Sequence, residues 1–145
     1  MEFINELVPF AKNHPILTLA WLSLFIAIIY LTIKTKFSKV KAISNAETVN
    51  LINTKEAIII DTRANDSYKR GHIITAYNIL PSDIKNGSIK TIEKFKAKPV
   101  VVVCENGITA PGSSDTLVKA GFMDVYYLKD GITGWSGENL PLIKK

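Results

Sequence analysis

This chain is poor in the residues that most metal and disulfide chemistry requires. It holds one cysteine and two histidines in 145 residues. A single cysteine, Cys104, excludes an intrachain disulfide framework and any zinc site built from several cysteines. His14 and His72 lie far apart in the chain, so a histidine metal centre has little support. The serines Ser113 and Ser114 have no Gly-x-Ser-x-Gly elbow around them and no suitably placed histidine, which sets a serine hydrolase aside. There is no internal repeat and no low-complexity tract. The net charge is +5, but much of the excess is local, in Lys34, Lys36, Lys39 and Lys41. With no nucleic-acid-binding motif beside it, that cluster reads as the flank of a membrane segment, not as a nucleic-acid contact.

Charge is wholly missing from Pro15 to Ile33. At 1.5 Å per residue this run spans about 28 Å, close to the roughly 30 Å hydrocarbon core of a bilayer. A soluble core helix is rarely apolar on every side for this length. Pro15 suits a first helical turn, and Thr18, Ser23 and Thr32 can bond back to the helix backbone. A cleaved signal peptide fits poorly. Glu2 and Glu6 outnumber Lys12 ahead of the run, and no small-x-small cleavage site ends it. The expectation is an uncleaved, single-pass signal anchor in a bacterial inner membrane. The following lysines place the N-terminus outside and the rest of the chain in the cytoplasm, and can touch anionic lipid. Ahead of the anchor, residues 1–14 form a short tail. Phe3, Leu7 and Phe10 could share a helical face, but Pro9 interrupts any regular helix. Residues 34–41 form a basic linker.

From Ala42 to the C-terminus, strand and helix signals alternate, as in a parallel sheet covered on both faces. Ser44 and Glu47 form a capping box for a helix to about Asn53. Strands are expected at 57–61, 76–80, 99–103 and 125–128. Helical turns are expected at 64–70, capped by Gly71, and at 81–85 and 130–135. Ser88 to Lys96 reads as an amphipathic helix with Ile89, Ile92 and Phe95 on one side. Gly112 to Lys119 can be helical, although Gly112, Ser113 and Ser114 lower its propensity.

The stretch with most chemistry in it is Lys98 to Pro111. Four valines, as in a strand buried on both faces, run into Cys104 and then a polar loop with Gly107. A cysteine at the carboxyl end of such a strand lies where open α/β sheets hold their sites. If the loop curls around the sulfur, its N–H groups form an anion nest, and the next helix adds its positive end. That setting stabilises a thiolate or persulfide. The local pattern equally fits a buried cysteine that acts as a small hydrophobe.

Five ordered blocks between residues 42 and 137 resemble the rhodanese-homology family. They are Asp61-Thr62-Arg63 after a hydrophobic strand, Gly71-His72-Ile73 with Ala76-x-Asn78-Ile79, Val100 to Gly107, Gly121-Phe122 with Val125-Tyr126-x-Leu128, and Gly131-Ile132-x-x-Trp135. The N-terminal anchor, the basic linker and the tail from Gly137 to Leu142 are similar to the short membrane-anchored rhodanese proteins of gamma-proteobacteria. The resemblance implies a small α/β rhodanese-like domain over 42–145. It also implies a cysteine that accepts sulfane sulfur from thiosulfate or a persulfide and passes it to a thiol acceptor, with no metal or organic cofactor. By position, Cys104 is the nucleophile and sulfur carrier. Glu105, Asn106, Gly107, Ile108 and Thr109 form the substrate-binding loop and supply backbone N–H groups. Asp61 and Arg63 would be supporting or structural residues near the sheet's carboxyl edge.

The chain departs from the family pattern where Cys-x-x-Gly-x-Arg would put an arginine, which here is Thr109, and Glu105 adds negative charge. An arginine there would help hold a dianion such as thiosulfate. Three functions therefore compete. One is a membrane-tethered sulfurtransferase or persulfide carrier. Another is a rhodanese-fold module that binds a membrane-protein partner. The last is a cysteine phosphatase, which ranks lowest because Cys-x5-Arg would need arginine where Ala110 stands. His72 is expected to serve as a structural hydrogen-bonding residue, and Trp135 and Tyr126 as core residues that close the sheet.

Overall fold

The structure, a computed structural model, describes residues 2–36 and 39–145. These fall into two compact units that divide between residues 38 and 39. The first holds helices α1 (Glu2–Asn13) and α2 (Pro15–Lys36). α1 runs through Pro9, against the expectation of a break. Proline removes one N–H from the ladder, and the helix continues past it. Phe10 O then accepts the His14 N–H at 2.9 Å, and His14 O accepts the Thr18 N–H at 3.0 Å. The hydroxyls of Thr18, Ser23 and Thr32 bond to the carbonyls of His14, Ala20 and Ile28. Pro15–Ile33 is long and apolar enough to cross a membrane, and none of it is buried within the molecule. The side chains of Phe3, Leu7, Lys34 and Lys36, and the linker residues 37 and 38, lie outside the described residues.

The second unit, Lys39–Lys145, begins with strand β1 (Lys41–Ile43) and continues as α3 (Asn45–Lys55), β2 (Ile58–Asp61), α4 (Asn65–Arg70), β3 (Tyr77–Asn78) and α5 (Pro81–Lys85). Then follow β4 (Val100–Val103), α6 (Ala110–Lys119), β5 (Val125–Leu128) and α7 (Gly131–Gly137). The five strands form one sheet in the order β1-β5-β4-β2-β3, and every pairing is parallel. β4 is central because only it has apolar β-branched side chains at every position. Val100 and Val102 face one layer with Ile60, Ile89, Ile92, Leu117 and Phe122. Val101 and Val103 face the other with Ile59, Ile73, Leu128, Ile132 and Trp135. All four valines are fully buried. Each such side chain contributes about 1.5–3 kcal/mol of hydrophobic stabilisation.

The capping box of α3 is present: Ser44 Oγ accepts the Glu47 N–H, and Glu47 Oε2 accepts the Ser44 N–H at 2.7 Å. Elsewhere the elements differ from the sequence expectation. Ser88 to Lys96 forms turns and a 3-10 segment at Glu93–Phe95, not an amphipathic α-helix. Ile89, Ile92 and Phe95 recur every three residues, which suits the three-residue turn of a 3-10 helix. The Ile92 N–H bonds Ile89 O at 3.0 Å, and the Phe95 N–H bonds Ile92 O at 2.9 Å. The strand expected over 76–80 shrinks to Tyr77–Asn78 at the sheet edge. The basic stretch 34–41 is helix at its start and strand at its end. β1 pairs only with β5, so Lys41 and Ala42 stay in solvent and Ile43 alone is buried. Gly71 does cap α4 as expected, with extended backbone (φ 169°) and its N–H donating to Tyr68 O.

Candidate active site

β4 lies between β2 and β5, and the chain leaves its two halves in opposite directions. The carboxyl ends of β2 and β4 therefore border the crevice where sheets of this class hold ligands. Asp61 ends β2, and Cys104 follows β4 at once. Thr62 ties the two ends together, since its N–H and its hydroxyl both donate to Val103 O, at 2.9 and 3.0 Å.

The loop after Cys104 curls over the sulfur. The Gly107 N–H donates to Cys104 Sγ at 3.0 Å. The Thr109 hydroxyl and the N–H groups of Ala110, Thr109 and Asn106 also point to it. The Cys104 side chain is buried, and burial by itself pushes the thiol pKa up. The donors outweigh it, those of Thr109 foremost, so the pKa falls below the ordinary thiol range. The start of α6 adds positive potential at the same place. Pro111 fits within that first turn, where no N–H is required. Despite its weak propensity the segment is helical, because Ser113 and Ser114 are buried and Ser114 Oγ bonds Ala110 O at 2.8 Å.

Two glycines set the loop's path. Gly107 has φ +85°, and a Cβ there would collide with the Lys129 carbonyl. Gly131 has φ +59°, and a Cβ would stand 2.6 Å from Glu105 O. This close approach lets the first turn of α7 hold the outer side of the loop. Ile132 donates its N–H to Cys104 O at 3.0 Å, and Thr133 donates to Glu105 O at 2.9 Å.

Among the residues expected to cradle the sulfur, Asn106, Gly107 and Thr109 do so. Ile108 does not: its N–H bonds the Asn106 side chain at 3.2 Å, and its own side chain is 75% exposed. Glu105 turns its carboxylate to Arg63 Nη1 at 3.7 Å. Ala110 is a further donor that the sequence does not signal, since the expected helix begins at Gly112 whereas α6 begins at Ala110.

Asp61 and Arg63 form a fork behind the loop. Arg63 Nε meets Asp61 Oδ1 at 3.0 Å, and Nη2 meets Oδ2 at 2.7 Å. Nη2 also donates to Gly71 O at 2.6 Å. Burial tends to lower the guanidinium pKa, but Asp61, and then Glu105, raise it further, so Arg63 stays charged. Asn78 donates to the carbonyls of Asp61 and Arg63 at 3.1 and 2.8 Å, which fixes the turn between them. His72 is committed elsewhere. Its ring stacks on Tyr68 at 3.8 Å, and Nδ1 meets Tyr68 O at 2.8 Å. It is a buried structural residue. Trp135 is buried and Tyr126 packs half-buried against the same layer. Among the described residues no group of three or more His, Cys, Asp or Glu could hold a metal ion.

A five-stranded parallel sheet flanked by helices, with a loop wrapped around a cysteine at its carboxyl edge, is a rhodanese-like fold. The rhodanese-like domain family matches residues 44–138, and the chain belongs to that family. YibN of Escherichia coli strain K12 is 43% identical over 141 residues, covering 97% of this chain and 99% of its own. The thiosulfate sulfurtransferase GlpE of Pseudoalteromonas translucida is 34% identical over 95 residues, 66% of this chain and 88% of its own. Among solved structures, a rhodanese-related protein from Thermoplasma volcanium superposes with a TM-score of 0.63. It is 22% identical and covers 72% of this chain and 99% of that one.

Proposed function

We propose that this protein is a membrane-anchored sulfurtransferase or persulfide carrier, with sulfane sulfur held on Cys104 and passed to a thiol acceptor. The observation that carries this reading is the set of donors from Asn106, Gly107, Thr109 and Ala110 around a single buried sulfur. The Cys104 thiolate attacks the outer sulfur of thiosulfate or of a persulfide R–S–SH. A new S–S bond forms and the donor's bond to that sulfur breaks. The electron pair leaves on sulfite or on R–S⁻. The same N–H groups hold the negative charge before and after transfer, first on Sγ and then on the terminal persulfide sulfur. An acceptor thiolate removes that sulfur by the reverse displacement and restores the Cys104 thiolate. Pro15–Ile33 anchors the chain in the inner membrane, with the catalytic unit on the cytoplasmic side.

The test is thiocyanate formation by the full chain in detergent, with thiosulfate or a small-molecule persulfide as donor and cyanide as acceptor. Wild type is expected to turn over and Cys104→Ser to be inactive. Equal activity in both would remove Cys104 from its role. Exposed Ile108 at the loop tip favours a second reading, a membrane-tethered module that binds a protein partner through this loop. On that reading the wild type forms no thiocyanate, and Ile108→Ser weakens partner capture.

A further inference from the structure

Beside the Cys104 loop lies a small cleft of about 190 Å³ whose walls include Arg63, Ser67, Arg70, Glu105, Ile132 and Leu142. It adjoins the sulfur-bearing residue twice: Glu105 is the next residue in the chain, and the Ile132 N–H bonds Cys104 O. Arg63 is already committed to Asp61 and Gly71 O. Arg70 differs. It donates only to Ser67 Oγ, at 2.9 Å, and meets no carboxylate among the described residues. Glu105 is 63% exposed, and its one ion pair is the long 3.7 Å approach to Arg63. The cleft therefore offers one available cation and one available carboxylate, with the apolar walls Ile132 and Leu142 between strand end and tail. Glu105 in the wall and Asp61, which pairs with Arg63 from behind it, balance the charges of Arg63 and Arg70, so no excess positive charge favours a dianion.

We propose that this cleft binds an α-amino acid persulfide of the cysteine-persulfide class, with Arg70 on the carboxylate and Glu105 on the ammonium group. The inference rests on the sulfur-carrier reading of Cys104 and names its donor. The cleft is smaller than the roughly 300–1,000 Å³ typical of sites for drug-sized ligands, so it suits a single amino acid. A carboxylate gripped by arginine and an ammonium facing a glutamate hold the carbon skeleton from both ends. The transfer is balanced within donor and enzyme. The Cys104 thiolate attacks the outer sulfur of R–S–SH and the donor S–S bond breaks. Cysteine leaves with the electron pair as a thiolate, and the proton stays on the transferred sulfur or passes to water.

The experiment compares four persulfides on the full chain in detergent, with Cys104 loading rates read by intact mass. They are the persulfides of cysteine, 3-mercaptopropionate, cysteamine and 2-mercaptoethanol, which carry both charges, only the carboxylate, only the ammonium group, or neither. Wild type is expected to load from cysteine persulfide about tenfold faster than from the mercaptoethanol compound, the scale of one charge-assisted hydrogen bond. Arg70→Ala should collapse the preference of cysteine over cysteamine persulfide. Glu105→Gln should collapse the preference of cysteine over mercaptopropionate persulfide. Equal wild-type rates for all four, or an Arg70→Ala preference unchanged from wild type, would overturn the assignment and leave the carrier reading intact. Binding of unreactive S-methylcysteine, followed by amide shifts at Arg70, Glu105 and Ile132, separates the two ideas. Shifts that vanish in Arg70→Ala, with no loading from any donor, would sink the carrier reading and keep the cleft. No shifts and no loading would overturn both.

Discussion

Arg63 lies two residues after Asp61 and turns back to grip it with two parallel hydrogen bonds, at 3.0 and 2.7 Å, while the carboxylate is completely buried. The pair joins the end of β2 to Gly71 and, through Arg63 Nη1, to Glu105 in the loop. A single substitution leaves the other charge buried and unpaired. Arg63→Ala should therefore lower the stability of the second unit by about 3–5 kcal/mol. Thermal unfolding by circular dichroism checks this; a melting temperature equal to wild type would make the fork dispensable.

Gly107 carries a second expectation. Its φ of +85° and the Lys129 carbonyl where a Cβ would stand leave no room for a side chain. Gly107→Ala must move the N–H that bonds Cys104 Sγ. Sulfur loading should fall at least about tenfold, the equivalent of roughly 1.4 kcal/mol, with helical content unchanged by circular dichroism. Full loading would show that the loop tolerates another path.

The lowered thiol pKa has a definite sign. A depressed value means more thiolate at neutral pH, so alkylation by iodoacetamide should rise with pH through a midpoint below that of an ordinary thiol. Thr109→Val removes the hydroxyl that points to the sulfur. The profile should then move to higher pH and the neutral-pH rate drop a few-fold, as one lost hydrogen bond of about 1 kcal/mol implies. An unshifted profile would assign the lowering to backbone donors alone.

Membrane topology is tested separately. A reporter fused after Lys145 is expected to read cytoplasmic, because the lysines follow Pro15–Ile33 in the chain. A periplasmic reading would reverse the orientation.

The run Val100–Val103 and the position of Cys104 were legible because a central parallel strand needs apolar side chains on both faces, and no other stretch supplies them so continuously. Asp61, Arg63 and Asn78 were legible as a spaced motif, and their hydrogen bonds explain the spacing. The capping box of α3 was equally plain. Ser88 to Lys96 departs from the expected α-helix because apolar residues three apart fit an α-helical stripe as well as a 3-10 turn, and packing of Ile89 and Ile92 against the sheet decides between them. β1 was hidden by its length and its exposed lysine. The N–H direction at Ile108 and the placing of Arg70 and Glu105 in one cleft depend on contacts across the fold that no local pattern encodes.

The central claim is that Cys104 carries sulfane sulfur, and intact mass of the full chain tests it most directly. Wild type and Cys104→Ser would be incubated with thiosulfate and, separately, with cysteine persulfide, then chased with cyanide. The account predicts one added sulfur atom on wild type, none on the variant, and its loss to cyanide. A folded wild type that gains no sulfur from either donor would contradict it.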